Sequence, residues 1–301
     1  MQYKKKNYFL FILLIVVSSQ VTQNIISSEA MNVAIDMKTF PVGDNFASIT
    51  NNTGYVNYNI AGIGNTEGRE IDFEYINFIA DTFLANAYFI YPLRFVNICI
   101  KFGYFDSGKV EQRSAYSKDI IGTYSVSNYI VAVALAKNVN RRFLYGVGVK
   151  LLTVGAYGIS YNKNIVVFDC GVMHIFPLGG NNLCISAAGN NLPSQGRISL
   201  ACAYNIRKLG LTIYSDLDYF LSYKATRSGL GSEITFIKNI IVLHCKADIF
   251  NFSYLDTFSY DITLNFSPLL RIKKEIVLSF GHTWAVNFNN FISKGSIGVK
   301  F

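Results

Sequence analysis

From residue 70 onward, apolar and polar positions alternate along the chain in segments of about ten residues. In the clearest example Tyr260, Ile262, Leu264 and Phe266 alternate with Asp261, Thr263, Asn265 and Ser267. A period of two places successive side chains on opposite faces of a strand. Because β-branched and aromatic residues dominate and a 3.6-residue period is absent, the pattern predicts strands with one apolar and one polar face.

About fourteen such segments follow one another, separated by turn residues such as Asn, Gly and Pro. They begin near Glu70, Thr82, Phe95, Thr123, Phe143, Asn164, Asn182, Arg197, Leu209, Ser222, Ile240, Phe258, Glu275 and Phe291. An even number of strands returns both ends of a sheet to one side, so short inner turns alternate with outer loops. Residues 106–118, 189–196 and 287–293 are predicted on the outer side, and residues 207–209 and 238–240 on the inner side.

The residues before this region divide into two parts. Residues 1–23 have the three parts of a secretory signal peptide, with Lys4 to Lys6, the apolar stretch Phe9 to Val17, and a polar small-residue end. The apolar stretch is too short to span a bilayer as a helix, and an uncleaved membrane anchor is the alternative interpretation. Residues 24–69 are rich in small and polar side chains and show no long period.

Composition favours a membrane over water as the surroundings of these strands. Hydrophobic residues make up 51% of the chain and charged residues 15%, whereas charged residues are roughly a quarter of an average soluble domain. Intrinsic disorder and nucleic-acid binding are therefore poor interpretations, although the net charge is +8. A soluble β-sandwich alternates similarly, but the many segments, the aromatic residues near their ends and the leader favour a bilayer.

In hydrocarbon an unpaired backbone amide costs several kcal/mol, so a sheet is stable there only if it closes and leaves no edge. The sequence therefore predicts an all-β fold, a transmembrane antiparallel β-barrel of about 14 strands over residues 70–301 in the bacterial outer membrane. Outer-membrane lipids are its expected surroundings. The last strand ends on Phe301, with Val299 and Ile297 at alternate positions, which resembles the signal read by the outer-membrane assembly machinery.

Two stretches resemble a known group. Asn59-Ile60-Ala61-Gly62-Ile63, after Asn51-Asn52-Thr53-Gly54-Tyr55, resembles the D-D-A-S-A-x-Y-x-N-P-A-G-L segment of the PorV/PorQ branch of the FadL-like superfamily. Farther on, Asn190-Asn191-Leu192-Pro193 is similar to the N-L-G…L-P corner of that branch. The resemblance implies that residues 24–69 fold into the barrel as an N-terminal plug, with Asn59, Ile60, Ala61 and Gly62 as its motif.

The same resemblance implies two functions for a barrel without enzymatic activity. In the PorV/PorQ branch, barrels serve as companions in protein secretion of the type IX kind, and this is the function expected here, with secretion-system proteins as partners. Other members of the superfamily admit hydrophobic molecules such as long-chain fatty acids, and a FadL-like passive conduit is the alternative.

Polar side chains on strand faces that would line the lumen are the candidate site residues. They are His244, Lys246 and Asp248 on one segment, Asp72 and Glu74 on the first, and Asp216 and Asp218 on a central one. His244, Lys246 and Asp248 could bind an anionic head group, but a structural ion-pair network is the favoured interpretation. The two carboxylate pairs could do acid-base chemistry, but a spacing of two along a strand is what any polar lumen shows, and a structural role is favoured for them too. The five cysteines are widely spaced and predict no disulfide framework. No catalytic residue, metal site or cofactor is expected.

Overall fold

The structure is a computed structural model that describes residues 57–77, 82–113, 120–157, 161–193, 196–221, 224–237, 240–250, 254–267, 275–285 and 290–301. The predicted signal peptide and residues 24–56 of the predicted plug lie outside these ranges. Within them no helix is long and apolar enough to cross a membrane.

Almost all of the described chain is strand. The strands are β1 (Glu70–Asn77), β2 (Phe83–Pro92), β3 (Asn97–Asp106), β4 (Val110–Arg113), β5 (Ile120–Asn138), β6 (Phe143–Tyr157), β7 (Tyr161–Leu178), β8 (Asn181–Leu192), β9 (Arg197–Ile206), β10 (Leu211–Phe220), β11 (Ala225–Ile237), β12 (Ile241–Phe250), β13 (Tyr254–Asn265), β14 (Glu275–Ala285) and β15 (Asn290–Lys300). A short 3-10 helix, Ile60–Asn65, precedes β1.

Fourteen of these strands form one closed antiparallel barrel. Two pairings complete the ring: β1 with β15, in which Glu70 faces Lys300, and β3 with β5, in which Asn97 faces Ala136. The prediction of a barrel of about fourteen strands is therefore confirmed. The fifteenth strand, β4, was not predicted; it pairs with the first residues of β5 beyond the point where β5 meets β3.

The connections predicted on the inner side and those predicted on the outer side lie at opposite ends of the barrel. One end, called the turn end, holds Glu70, Lys300 and the turns at residues 93–96, 139–142, 179–180 and 207–210. The opposite end, called the loop end, carries the predicted outer segments. Those segments are shorter loops than predicted, because β8 continues to Leu192 and β15 already begins at Asn290. By the general rule for such barrels the turn end faces the periplasm.

The barrel wall has an apolar outer face. Val131, Val133 and Leu135 on β5 and Val147, Val149 and Leu151 on β6 all point outward and are exposed, while their neighbours in the sequence point inward. Water would not stabilise this belt, since burying apolar area is favourable by about 25 cal/mol per Å². The outward belt and the closed sheet agree with the predicted outer-membrane location and exclude a sandwich, which would bury its apolar faces between two sheets.

Aromatic rings border the apolar belt at both ends. At the loop end Tyr75, Phe83, Tyr104 and Tyr129 form a chain with centroid separations of 5.6, 5.7 and 5.0 Å. At the turn end Phe143, Tyr145, His174 and Phe176 make a second cluster. On β2 the rings of Phe83 and Tyr91 are separated by eight residues, about 26 Å along the strand. A tilted strand of that length suits the hydrocarbon thickness that outer-membrane barrels span.

We expect Val149→Arg, at the middle of the outer belt, to lower the free energy of unfolding by about 2–4 kcal/mol, because it places a charge in the hydrocarbon. Val139→Arg, at an exposed turn, is the matched control and should cost about 0–1 kcal/mol. Urea unfolding in lipid vesicles measures both values. Equal costs at the two positions would contradict the placement of the belt.

Candidate functional site in the barrel lumen

The 3-10 helix Ile60–Asn65 lies inside the barrel at its turn end. Asn59 caps this helix: its side-chain oxygen accepts a hydrogen bond from the amide of Ala61 at 3.0 Å. The side-chain amide of Asn59 donates to the main-chain oxygens of Val172 and Ala187, at 3.1 and 3.4 Å. The motif residues Asn59, Ile60, Ala61 and Gly62 are all buried. The described end of the predicted plug is thus fixed to the barrel wall.

Glycines on the facing strands allow this close approach. A Cβ atom added at Gly146 would lie 2.9 Å from the backbone of Ile60, and one at Gly171 would lie 2.0 Å from Asn59 Oδ1. A Cβ at Gly148 would meet the end of the Ile60 side chain at 2.5 Å. These positions on β6 and β7 therefore form a groove for the helix, and any larger residue would displace it.

The Asn190–Pro193 corner is a bulge that also contacts the plug. The register between β7 and β8 shifts between Phe168 and Cys170, and Asn191 takes a left-handed conformation with φ of 55°. The Asn191 amide donates to Asp169 Oδ1 at 2.8 Å, and Lys150 Nζ lies 2.5 Å from the other oxygen of Asp169. Asn190 donates its side-chain amide to the main-chain oxygen of Tyr58 at 2.8 Å. Because of the bulge, Asn190 contacts Tyr58 while its neighbour Asn191 contacts Asp169.

A buried group of charges, called the ion cluster, lies on the inner face of strands β9 to β12. Its members are Arg197, Asp216, Asp218, Arg227, Lys246 and Asp248. Asp218 Oδ2 lies 2.8 Å from Arg227 Nη2 and 3.6 Å from Arg197 Nη1. Lys246 Nζ lies 2.6 Å from Asp248 Oδ1 and 3.7 Å from Asp216 Oδ1. Three basic and three acidic side chains balance each other, as the ion-pair interpretation expects.

Two glycines on β11 leave room for side chains of the neighbouring strands, and Gly229 does so for the ion cluster. A Cβ at Gly229 would lie 2.3 Å from Asp216 Oδ1, 2.5 Å from Lys246 Cε and 2.6 Å from Asp248 Oδ1. A Cβ at Gly231 would lie 2.4 Å from the ring of Tyr214. The absence of side chains here lets groups from β10 and β12 meet across the strand between them.

The other predicted lumen residues belong to a second polar region on β1, β12 and their neighbours. Glu74 Oε1 lies 2.9 Å from Lys294 Nζ, and Glu74 Oε2 accepts hydrogen bonds from Asn86 and Tyr88 at 2.6 and 3.0 Å. Asp72 is buried on the same face of β1. His244 lies between two carboxylates, 3.5 Å from Glu233 and 3.6 Å from Asp261. His244 and Asp248 therefore contact different partners although they share one strand face.

One part of the inner wall is apolar instead. Val126, Ile130, Leu152, Val154 and Val167 are buried together on the inner faces of β5, β6 and β7. We call these five side chains the apolar patch. It lies toward the loop end, above the 3-10 helix, and Ile130 is in register with Glu74 through β2 and β3. The lumen thus has both an apolar and a charged side.

The proposed assembly residues lie where β15 closes the barrel. Ile297 and Phe301 are exposed on the outer face, and Val299 lies between them on the same face, half-buried. The amide of Phe301 donates to the main-chain oxygen of Arg69 at 2.9 Å. All three side chains therefore face outward at the turn end. Among the described residues, no group of three His, Cys, Asp or Glu is placed to hold a metal ion.

Several charged lumen residues were not among the predicted candidates. They are Lys101, Lys150, Asp169, Arg197, Arg227, Glu233, Asp261 and Lys294. Asp261 could have been found, because it alternates with four apolar residues. Arg197 and Arg227 stand at or near the first residue of their strands, and Lys294 stands in a strand rich in small residues, so alternation gives little signal there.

Two solved structures share this architecture over most of both chains. The toluene transporter TodX of Pseudomonas putida is 8% identical, with a TM-score of 0.56 over 86% of this chain and 95% of that chain. A FadL homologue of Pseudomonas aeruginosa is 8% identical, with a TM-score of 0.57 over 85% and 95%. No protein-family model and no curated protein matches the chain. The likeness shows the fold of FadL-like outer-membrane barrels, whereas the PorV/PorQ assignment stays a prediction.

We expect Gly171→Ala to displace the plug without opening the barrel, because the new Cβ would collide with the Asn59 side chain and break its hydrogen bonds to the wall. Losing them costs about 1–3 kcal/mol, so amide exchange in residues 57–69 should accelerate roughly tenfold or more. Hydrogen exchange followed by mass spectrometry measures this. Gly155→Ala is the control, since its Cβ would lie an ordinary 3.7 Å from the main-chain oxygen of Ser127. Unchanged exchange in residues 57–69 would contradict the groove.

We expect Asp218→Asn to lower the free energy of unfolding by about 3–5 kcal/mol, because it removes the carboxylate shared by two buried arginines. Glu70→Gln is the control: its partner Lys300 has a side chain 35% exposed, and such a pair contributes at most about 1 kcal/mol. Urea unfolding in vesicles compares the two variants. Similar small losses would show that Asp218 does not hold the ion cluster together.

Proposed function

We propose that this outer-membrane barrel binds hydrophobic or amphipathic small molecules and passes them through its wall or lumen. The observation that carries the proposal is the apolar patch on the inner faces of β5 to β7. The five aliphatic side chains are buried together, so one side of the inner wall is apolar and offers a surface against which an apolar molecule can pack favourably. Ligand sites are mostly apolar, with a few polar groups that fix orientation.

The charged side of the lumen adds the polar groups that such a site requires. Buried lysines and arginines lie on the same inner surface, with Lys101 close to Lys150 and Arg197 within the ion cluster. A long apolar molecule with an anionic end would meet apolar and basic side chains within one lumen. The structurally similar TodX is a toluene transporter and monoaromatic hydrocarbon channel, which agrees with a ligand of this class.

A companion role in protein secretion, of the PorV/PorQ kind, is the second candidate. It is favoured by the resemblance of residues 59–63 to the motif of that branch and by the tight fixation of these residues at the turn end. Asn97 donates its side-chain amide to the main-chain oxygens of Ile63 and Thr66 at 2.8 Å each. A barrel braced in this way would present a stable surface to envelope proteins.

The conduit proposal predicts that Val154→Thr combined with Val167→Thr weakens binding of radiolabelled palmitate about tenfold or more. Each change keeps the side-chain volume but adds a hydroxyl whose burial without a partner is costly. The matched control is Val149→Thr with Val166→Thr, on the outer face of the same two strands. Equilibrium binding is measured on the purified barrel in an amphipathic polymer, and toluene as competitor tests a ligand without a charged end.

Equal palmitate affinities in the wild-type barrel, the inner-face variant and the outer-face variant would overturn the conduit proposal. The companion proposal makes the opposite set of expectations: no palmitate binding, no conductance in a planar bilayer, and defined envelope proteins that co-purify in mild detergent. Co-purification should then be lost in Gly171→Ala, which displaces the plug motif, and kept in Gly155→Ala.

A further inference from the structure

Three turns at the turn end share one composition. Residues 93–95 are Leu-Arg-Phe, residues 139–142 are Val-Asn-Arg-Arg, and residues 207–209 are Arg-Lys-Leu. The apolar members are unusually exposed for turns in water, with 69% of Phe95, 66% of Leu209 and 55% of Val139 accessible. None of the three turns contains an acidic residue. The same pairing of an exposed apolar side chain with one or two bases thus recurs around the barrel.

Bases carried by neighbouring segments continue this arrangement around the rim. Arg69 donates to the Tyr91 hydroxyl at 3.1 Å, and its guanidinium lies 4.7 Å from the centre of that ring. Arg94 lies 5.2 Å from the centre of the Phe95 ring. Lys137 faces Tyr145 across the β5–β6 pairing, beside the aromatic cluster of the turn end. We call Arg69, Arg94, Lys137, Arg141, Arg142, Arg207 and Lys208 the basic rim.

Acidic groups do not neutralise the basic rim. The carboxylate side chains near this end, in the part of the chain that the structure describes, are Glu67, Glu70, Glu233 and Glu275. Glu233 points into the lumen, where it lies 3.5 Å from His244. Glu70 is already paired with Lys300, which is not a member of the rim, at 3.1 Å. The seven rim bases therefore leave a positive excess next to exposed apolar and aromatic side chains.

From this arrangement we propose that the basic rim binds anionic phospholipid head groups of the inner leaflet. The apolar side chains of the turns can enter the boundary between lipid head groups and acyl chains. The adjacent guanidinium groups can donate paired hydrogen bonds to phosphate oxygens. Tyr91 and Tyr145 mark the same level, because aromatic residues with polar ends collect at membrane interfaces. An acidic soluble protein would be attracted by the charges but would leave Phe95, Val139 and Leu209 without a matching surface.

The test uses the full-length barrel in vesicles of phosphatidylcholine with a minority of phosphatidylglycerol. The barrel is extracted with its bound lipids, and the phosphatidylglycerol fraction is compared with that of the bulk vesicle. We expect enrichment in the wild type that falls as salt is raised, because exposed charges are screened. Arg94→Gln, Arg141→Gln and Arg142→Gln together should lower the enrichment severalfold, since each base near such a surface contributes about fivefold in affinity.

The control variant removes three bases near the loop end: Lys109→Gln, Lys163→Gln and Lys224→Gln. It should keep the wild-type enrichment. Folding of every variant is checked by heat-dependent mobility in gel electrophoresis, and the salt series on the wild type tests the proposal even if a variant does not fold. Absence of phosphatidylglycerol enrichment in the wild type, or equal loss in both triple variants, would overturn the proposal. Binding of an acidic protein without lipid enrichment would also overturn it.

Discussion

Closure of the main-chain hydrogen bonds is the constraint on which the rest of this structure depends. In hydrocarbon no water is available to hydrogen-bond the backbone, so every amide and carbonyl group of a strand must pair within the sheet. The pairings of β1 with β15 and of β3 with β5 are therefore required for the barrel to be stable. Once the ring is closed, the period of two assigns every second residue to lipid and the others to the lumen. The exposed valines of β5 and β6 and the buried charges of β10 and β12 are two results of that single geometric condition.

The buried charges are stable because the barrel brings their partners together across strands. Asp218 contacts Arg227 on the adjacent strand, and Lys246 reaches Asp216 across β11, where Gly229 leaves space. An unpaired charge in such surroundings would cost several kcal/mol, so the ions are tolerated only as a balanced set. The ion cluster is therefore first a structural element of the wall, and any ligand group that enters must compete with pairs already formed.

Alternation along the chain predicted the strand number and the inner face of β1, β10 and β12, and the number of segments, the composition and the leader decided for a barrel over a sandwich. It could not identify which charges meet. Asp216 and Asp218 both point inward, but only the register between β9, β10 and β11 gives Asp218 two arginine partners, and that register depends on turn lengths and on closure. The bulge at Asn191 and the short β4 have no periodic signal either. The plug motif came from a family resemblance, and its glycine groove from the structure alone.

The distribution of side chains in the lumen bears on how a ligand could move. The 3-10 helix lies at the turn end against Gly146 and Gly171, whereas the apolar patch lies nearer the loop end on the same strands. An apolar molecule arriving from outside would meet the patch before the helix. The hydrogen bonds of Asn59 and Asn97 hold that helix from two sides, on β7 and β8 and on β3. Moving the helix away from the wall would require breaking both sets of bonds, so its position is set by main-chain groups of the barrel as well as by the glycine groove.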